Sequence, residues 1–169
     1  MKLTILASGS KGNCTYLRGE RGALLIDAGL SARETLRRLR AAGGDAGLIE
    51  GILVTHEHID HIRGVDVLAR RLDVPVYATG GTLEAFSGRC GETTTVRRCR
   101  YDEPFCLGDF SVEAFPTSHD AREPCGFRIT EGDLRIGCCT ETGSPPATPS
   151  SWRATTARRC LRTDPIPRI

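Results

Sequence analysis

The feature that most constrains this chain is a cluster of histidines placed directly after a short apolar segment. The chain has four histidines, and three of them, His56, His58 and His61, lie within six residues. Residues 52–54, just before the cluster, form a continuous apolar run of the kind found in buried strands. His119 also follows a strand-like segment. We therefore predict that all four histidines lie at strand ends, where rigid edges can assemble a common site.

The spacing within the cluster is typical of a metal site. His56 and His58, two residues apart in an extended segment, can converge on one ion. Asp60 and His61 come after the turn and can face a second ion. Imidazole and carboxylate ligands suit Zn²⁺, with Mn²⁺ or Fe as alternatives. The competing interpretation is a solvated helix start with Asp60 as its N-cap; the H-x-H-x-D-H pattern after an apolar strand favours metal binding.

The order of predicted elements indicates an α+β fold. Apolar runs and alternation predict strands at residues 2–6, 14–18, 23–26, 52–54, 74–77 and 110–115, and a hairpin of 126–129 with 134–137. Helices are predicted from about Ser31, where Glu34 completes a capping-box pattern, over residues 65–72, and as a short helix at 81–87. From about residue 94 the pattern is mostly β. Strands, then alternating strands and helices, then strands again predict sheets packed between helices.

Composition divides the chain into two parts. Five of the nine prolines lie in the last 27 residues, which are otherwise rich in Ser, Thr and Arg and lack apolar periodicity. We predict one domain over residues 1–142 and an irregular tail over 143–169.

Charge and hydropathy limit the partners. The formal net charge is +2, but five Arg and one Asp in residues 143–169 contribute +4, which leaves −2 on the rest. The body therefore lacks a global basic field for nucleic acid. Arg33, Arg37, Arg38 and Arg40 could follow a nucleic-acid backbone, although a solvated helix face is the favoured interpretation. No segment approaches the ~20 apolar residues of a membrane span, and the apolar run near the N-terminus is too short for a secretory signal; we predict a cytoplasmic protein without membrane contact.

Several motifs together resemble the metallo-β-lactamase-fold hydrolases. Four segments match the family's motifs in order: residues 25–29, 56–61, 118–120 and 139–143. The opening segment, residues 7–14, is most similar to the YycJ/WalJ subgroup, whose members are regarded as phosphodiesterase or exonuclease-like enzymes.

The resemblance implies a four-layer αββα sandwich with a two-metal site. His56, His58 and His119 would hold one ion, and Asp60 and His61 the other. Glu141 would bridge the two ions, and Asp27 would support the metal loop. Asp60 would also orient the nucleophile. Two zinc ions are implied, with Mn or Fe as alternatives.

The implied activity is hydrolysis of a phosphodiester, and a nucleic-acid substrate fits the subgroup. Hydrolysis of a small thioester or lactam-type carbonyl substrate is the alternative, and an inactive truncated product is a third possibility. In the segment Ser8–Asn13, backbone N–H groups could cradle a phosphate; a plain tight turn is the equal alternative. The oligomeric state is not encoded in any pattern of the sequence.

Two departures from the family pattern concern the second ion. The bridging residue of this subgroup is usually Asp, whereas this chain has Glu141. The family's last motif is a C-terminal histidine, and no histidine follows His119 in this sequence. With the change of composition near residue 143, this predicts a fold whose C-terminal portion is missing, through truncation or a frameshift after about residue 142.

Overall fold

A computed structural model describes residues 1–89, 91 and 93–139, which form two β-sheets and four helices. Glu141, the tail and the domain boundary predicted near residue 142 lie outside the described residues. The larger sheet contains β1 (Lys2–Ala7), β2 (Cys14–Arg18), β3 (Ala23–Ile26), β4 (Ile49–Leu53), β5 (Val76–Ala78) and β6 (Val96–Arg98). The smaller sheet contains β7 (Phe105–Leu107), β8 (Phe110–Pro116), β9 (Cys125–Glu131) and β10 (Leu134–Cys138). The helices are α1 (Ala32–Ala41), α2 (Ile59–Ile62), α3 (Val65–Leu72) and α4 (Gly80–Phe86).

The larger sheet is mixed and the smaller one is antiparallel. In the larger sheet, the strands lie in sequence order; β1, β2 and β3 pair antiparallel, and β3, β4, β5 and β6 pair parallel. The smaller sheet has the order β10-β9-β8-β7. Parallel strands need crossover connections, and α1 makes the one between β3 and β4. The carboxyl ends of β3 and β4 therefore lie side by side at one edge of the sheet.

Two apolar cores lie on opposite faces of the larger sheet. Consecutive residues of β3 alternate between them: Leu25 belongs to the core under the helices, whereas Leu24 and Ile26 face the smaller sheet. All four helices contribute to the first core, through Leu39, Ile62, Leu68 and Phe86 among others. Phe110 and Phe127 fill the second core from the smaller sheet and are fully buried. The described residues thus form three stacked layers, helices, sheet and sheet.

The local signals around α1 explain how the chain leaves β3. Ser31 is the N-cap of α1, and its hydroxyl accepts a hydrogen bond from the backbone N–H of Glu34 at 3.3 Å. The Glu34 carboxylate turns away from the cap and accepts hydrogen bonds from Arg37 and Arg38. Only half of the predicted capping box is formed, because the two arginines compete for the carboxylate.

Among the described residues, none of the helices is long and apolar enough to cross a membrane.

Candidate metal centre

Three histidines from two distant segments meet at the edge of the larger sheet. The candidate ligand atoms of His56, His58 and His119 all lie within 4.8 Å of one another. His119 Nε2 is 3.2 Å from His58 Nδ1, and the ring centroids of His56 and His119 are 4.2 Å apart. His56 and His58 follow β4, and His119 follows β8, so the two sheets bring the ligands together. Three nitrogen atoms this close could bind one metal ion.

The environment of His56 fits a metal ligand. Its side chain is almost fully buried, and Nδ1 lies 3.0 Å from the Thr55 hydroxyl. Its Nε2 is buried and has no hydrogen-bond partner in the described part of the chain. An unpartnered buried nitrogen is costly unless a ligand satisfies it. Burial and the neighbouring imidazoles of His61, His119 and His58 lower the pKa of His56 to about 3, so the ring is neutral and keeps the lone pair that a metal needs.

Asp27 and Thr55 contact the Nδ1 atoms of His61 and His56 and so orient the two rings. Asp27 follows β3 with a positive φ of 58°, and Thr55 follows β4. The Thr55 backbone N–H donates to Asp27 Oδ1 at 2.8 Å, and the Thr55 hydroxyl lies 2.9 Å from Asp27 Oδ2. His61 Nδ1 is 2.7 Å from Asp27 Oδ2. A carboxylate behind a histidine fixes the ring and its tautomer, as is usual around metal ligands.

The residues predicted to hold a second ion lie beside the three-histidine group. Asp60 and His61, which the sequence pattern places after the turn, belong to α2, a single helical turn. Asp60 Oδ2 is 3.6 Å from His61 Nε2, and the His61 ring centroid is 4.0 Å from that of His56. Glu141, the predicted bridging residue, lies outside the described residues.

Two further residues contact the site: Glu57, which carries no recognisable sequence signal, and Asn13, which the sequence indicated only as part of a possible phosphate-binding segment. Glu57 Oε1 accepts a hydrogen bond from the Arg122 backbone N–H at 2.8 Å, which ties the segment of His56 and His58 to the segment of His119. Asn13 Nδ2 lies 3.1 Å from Asp60 Oδ2. These contacts join residues 65 and 47 positions apart, so only the folded chain reveals them.

Comparison with known protein families shows which family the chain belongs to. Residues 23–158 match the family described as the beta-lactamase superfamily domain. The chain belongs to this superfamily. The match includes all the histidines, so the centre lies within the superfamily domain.

Curated relatives of the chain carry nuclease names. The chain is 39% identical over 145 residues to "Exodeoxyribonuclease YycJ" of Bacillus anthracis, covering 85% of this chain and 55% of that protein. It is 37% identical over 146 residues to "Exodeoxyribonuclease WalJ" of Streptococcus pneumoniae serotype 2, covering 84% of this chain and 54% of that protein. The chain thus spans about half the length of these relatives.

Solved structures show the same fold at lower identity. The Rm3 metallo-beta-lactamase superposes with a TM-score of 0.66 at 23% identity, over 80% of this chain and 56% of that chain. A metallo-beta-lactamase of Cronobacter sakazakii gives 0.68 at 20% identity, over 80% and 54%. The predicted α+β sandwich of the metallo-β-lactamase type is therefore confirmed. The fold is one that uses divalent metal, and the three-histidine group fits such an ion.

Proposed function

We propose that this chain carries the metal centre of a phosphodiesterase or nuclease of the metallo-β-lactamase superfamily. The observation that carries the proposal is the convergence of His56, His58 and His119 within 4.8 Å, with a buried, unpartnered Nε2 on His56. The nuclease names of relatives at 37–39% identity support nucleic acid as the substrate. A cytoplasmic location stays a prediction from the sequence.

The residues have distinct roles in this proposal. His56, His58 and His119 would hold one ion, and Asp60 and His61 would contribute to a second. Glu141, outside the described residues, is the predicted bridging ligand. Zinc is the proposed metal because three imidazole ligands suit it, with Mn or Fe as alternatives. When bound, the metal lowers the pKa of a water molecule and stabilises the charge that develops on phosphate oxygens.

The protein's own groups orient the reaction. Asp60 is partly exposed at the edge of the centre, where its carboxylate can hold the attacking water in line with phosphorus and accept its proton. Asp27 accepts a hydrogen bond from His61 Nδ1, which keeps the Nε2 lone pair of His61 directed into the site. Thr55 links Asp27 to His56 and so fixes the segment of His56 to the end of β3.

The test compares substrate classes on the full chain with Zn²⁺ or Mn²⁺ added. We expect release of nucleotides from single- and double-stranded DNA and cleavage of bis-p-nitrophenyl phosphate, both abolished in His58→Ala. Asp60→Asn should lower kcat by 100-fold or more, on the order of a general-base contribution. Asp133→Asn, in the exposed β9–β10 turn, is the matched control and should retain full activity.

Two results would contradict the proposal. Turnover of a thioester or lactam without any cleavage of phosphodiesters would assign the alternative carbonyl chemistry. Absence of all hydrolysis in a folded chain loaded with metal would show that the chain is an inactive product.

A further inference from the structure

The loop between β1 and β2 places the side chain of Asn13 directly on the two residues proposed to hold the second ion. Asn13 Nδ2 lies 3.1 Å from Asp60 Oδ2 and 3.0 Å from His61 Nε2. The phosphate cradle considered for Ser8–Asn13 does not account for this contact. The loop instead delivers an amide to the ligand atoms themselves.

The orientation of the Asn13 amide is set by Gly9. The Gly9 backbone N–H donates to Asn13 Oδ1 at 2.9 Å, and Asn13 Nδ2 lies 3.2 Å from the Gly9 carbonyl oxygen. The carbonyl of the amide is therefore used by the loop, and its NH₂ group faces Asp60 and His61. An amide NH₂ group only donates hydrogen bonds.

The tautomer of His61 determines whether its Nε2 atom can accept a hydrogen bond from the Asn13 amide. His61 Nδ1 lies 2.7 Å from the Asp27 carboxylate, which accepts a hydrogen bond from the Nδ1–H group. A neutral imidazole with its proton on Nδ1 has one lone pair, on Nε2. Asn13 donates an N–H into that lone pair. A metal ion needs the same lone pair, so Nε2 cannot serve both partners at once.

The main chain around Asn13 is fixed, so only its side chain can move. The Asn13 backbone N–H donates to the Asp60 carbonyl oxygen at 2.7 Å, and the Asn13 carbonyl accepts from Gly29 N–H at 2.8 Å. A side chain at Gly29 would overlap the Asp60 carbonyl oxygen, so the three segments touch without spare room. Rotation of the Asn13 side chain is then the route by which Nε2 becomes free.

We propose that Asn13 is a placeholder at the second metal position. Its amide satisfies Asp60 and His61 while that position is empty, and an ion must displace it to bind. The inference rests on the proposed assignment of Asp60 and His61 as ligands. It predicts that the two positions fill in order, with the three-histidine position first and the second position weakened by competition from Asn13.

The test is a calorimetric titration of Zn²⁺ into the full chain, with a chelator competing at the tight position. We expect Asn13→Ala to bind the second ion about tenfold more tightly than the unmodified chain, since a hydrogen bond to a charged or strongly polar acceptor no longer opposes it. The affinity of the first ion should stay unchanged. Ser10→Ala, an exposed change in the same loop, is the matched control and should titrate like the unmodified chain.

The opposite results overturn the placeholder. Weaker binding of the second ion in Asn13→Ala would show that the amide supports the ligands. Equal binding in the variant and the unmodified chain would show that the amide does not compete with the ion. The same conclusion holds if both proteins bind only one ion. Failure of the proposed function is separate: it appears as an unchanged first affinity in His58→Ala.

A second measurement does not depend on the folding of a variant. In ¹⁵N-labelled chain carrying one equivalent of Zn²⁺, we expect a ¹⁵N–¹⁵N coupling across the hydrogen bond from Asn13 Nδ2 to His61 Nε2. An imidazole Nε2 of His61 without this coupling would overturn the inference.

Discussion

At the scale of single residues, one hydroxyl group connects most of the centre. The Thr55 side chain lies 2.9 and 3.0 Å from the two oxygens of Asp27 and 3.0 Å from His56 Nδ1. All these residues are nearly fully buried, so water cannot replace a lost partner. The hydroxyl therefore sets the ring orientation of His56.

Replacing Thr55 with valine tests this role, because valine keeps the shape and removes the hydrogen bonds. We expect Zn²⁺ affinity to fall by about tenfold or more, the usual effect of losing a group that orients a metal ligand. Competition with a chromophoric chelator measures it. Thr94→Val is the control, since the Thr94 hydroxyl bonds Asp66 away from the centre; it should cost stability and leave the affinity unchanged.

Glu57 is the second residue whose role is positional. Its carboxylate accepts the Arg122 backbone N–H, and Arg122 lies three residues beyond His119. Glu57→Ala should lower Zn²⁺ affinity, because the segment of His119 loses its hydrogen bond to the segment of His58. Glu57→Gln keeps a hydrogen-bond acceptor and should retain most of the Zn²⁺ affinity. Glu84→Ala removes only the ion pair with the Arg122 side chain and serves as the control. An equal effect of Glu57→Ala and Glu84→Ala would contradict the positional role.

The sequence predicted the candidate ligands better than the groups that orient them. His56, His58 and His119 could be found because their residue type and spacing carry chemical information. The contacts of Thr55, Glu57 and Asn13 could not, since polar side chains of these types occur everywhere and their partners lie in distant segments. The contribution of Asp60, His61 and Glu141 to a second ion stays a prediction.

At the scale of elements, the crossing of three chain segments builds the edge of the site. The segment after β3 meets α2 and the end of the β1–β2 loop: Ala28 N–H donates to His61 O at 2.8 Å, and Gly64 N–H donates to Ala28 O at 2.7 Å. Gly29 lies at the centre of this crossing, where a Cβ atom would overlap Asp60.

Gly29→Ala should therefore be strongly destabilising. We expect a loss of about 3 kcal/mol in the free energy of unfolding, as for overpacking of a tight contact, measured by urea denaturation. Gly88→Ala is the control, because a Cβ atom there meets nothing within 4 Å. A similar small effect of both changes would show that the crossing can relax.

The loop before β6 is attached to α3 through Asp66. Asp66 accepts hydrogen bonds from Arg70 at 2.6 Å, from Thr94 at 2.6 Å and from Gly91 N–H at 2.7 Å. These bonds, that of Arg70 first, lower the pKa of Asp66 to about 2. In the unfolded chain an aspartate has a pKa near 3.9.

The lowered pKa of Asp66 makes the stability of the folded chain depend on pH, and the direction of that dependence follows from the shift. A carboxyl group with a lowered pKa in the folded state stabilises it above about pH 4, and the contribution disappears as the pH falls from about 4 to about 2. The difference in free energy of unfolding between the unmodified chain and Asp66→Asn should shrink over that range. A difference that stays constant from pH 5 to pH 2.5 would contradict this account.

Most of the longer elements follow from hydrophobic patterning, and the exceptions have physical causes. Residues 23–26 and 65–72 were predicted with the observed bounds. Strands β6 and β7, three residues each, were not assigned, because such short segments hold too little pattern and form only by pairing with β5 and β8. Helix α2 was missed because its four residues are stabilised by contacts with the segment after β3 rather than by local propensity.

At the scale of the whole molecule, the site lies where both sheets end. The ends of β3 and β4 supply Asp27, Thr55 and His56, and the connection from β8 to β9 supplies His119. The Cys125 backbone N–H donates to the Thr55 carbonyl oxygen at 2.9 Å, which links the two sheets beside the ligands. The half of the relatives' length that this chain spans thus contains all three histidines proposed to hold the first ion.

The most direct measurement of this account is X-ray absorption at the zinc edge on chain loaded with one equivalent of Zn²⁺. We predict a first shell containing three imidazole nitrogens at about 2.0–2.1 Å. His119→Ala should reduce the imidazole count to two and weaken binding. A shell with one imidazole or none, or a spectrum that His119→Ala leaves unchanged, would contradict the assignment of His56, His58 and His119 as the metal centre.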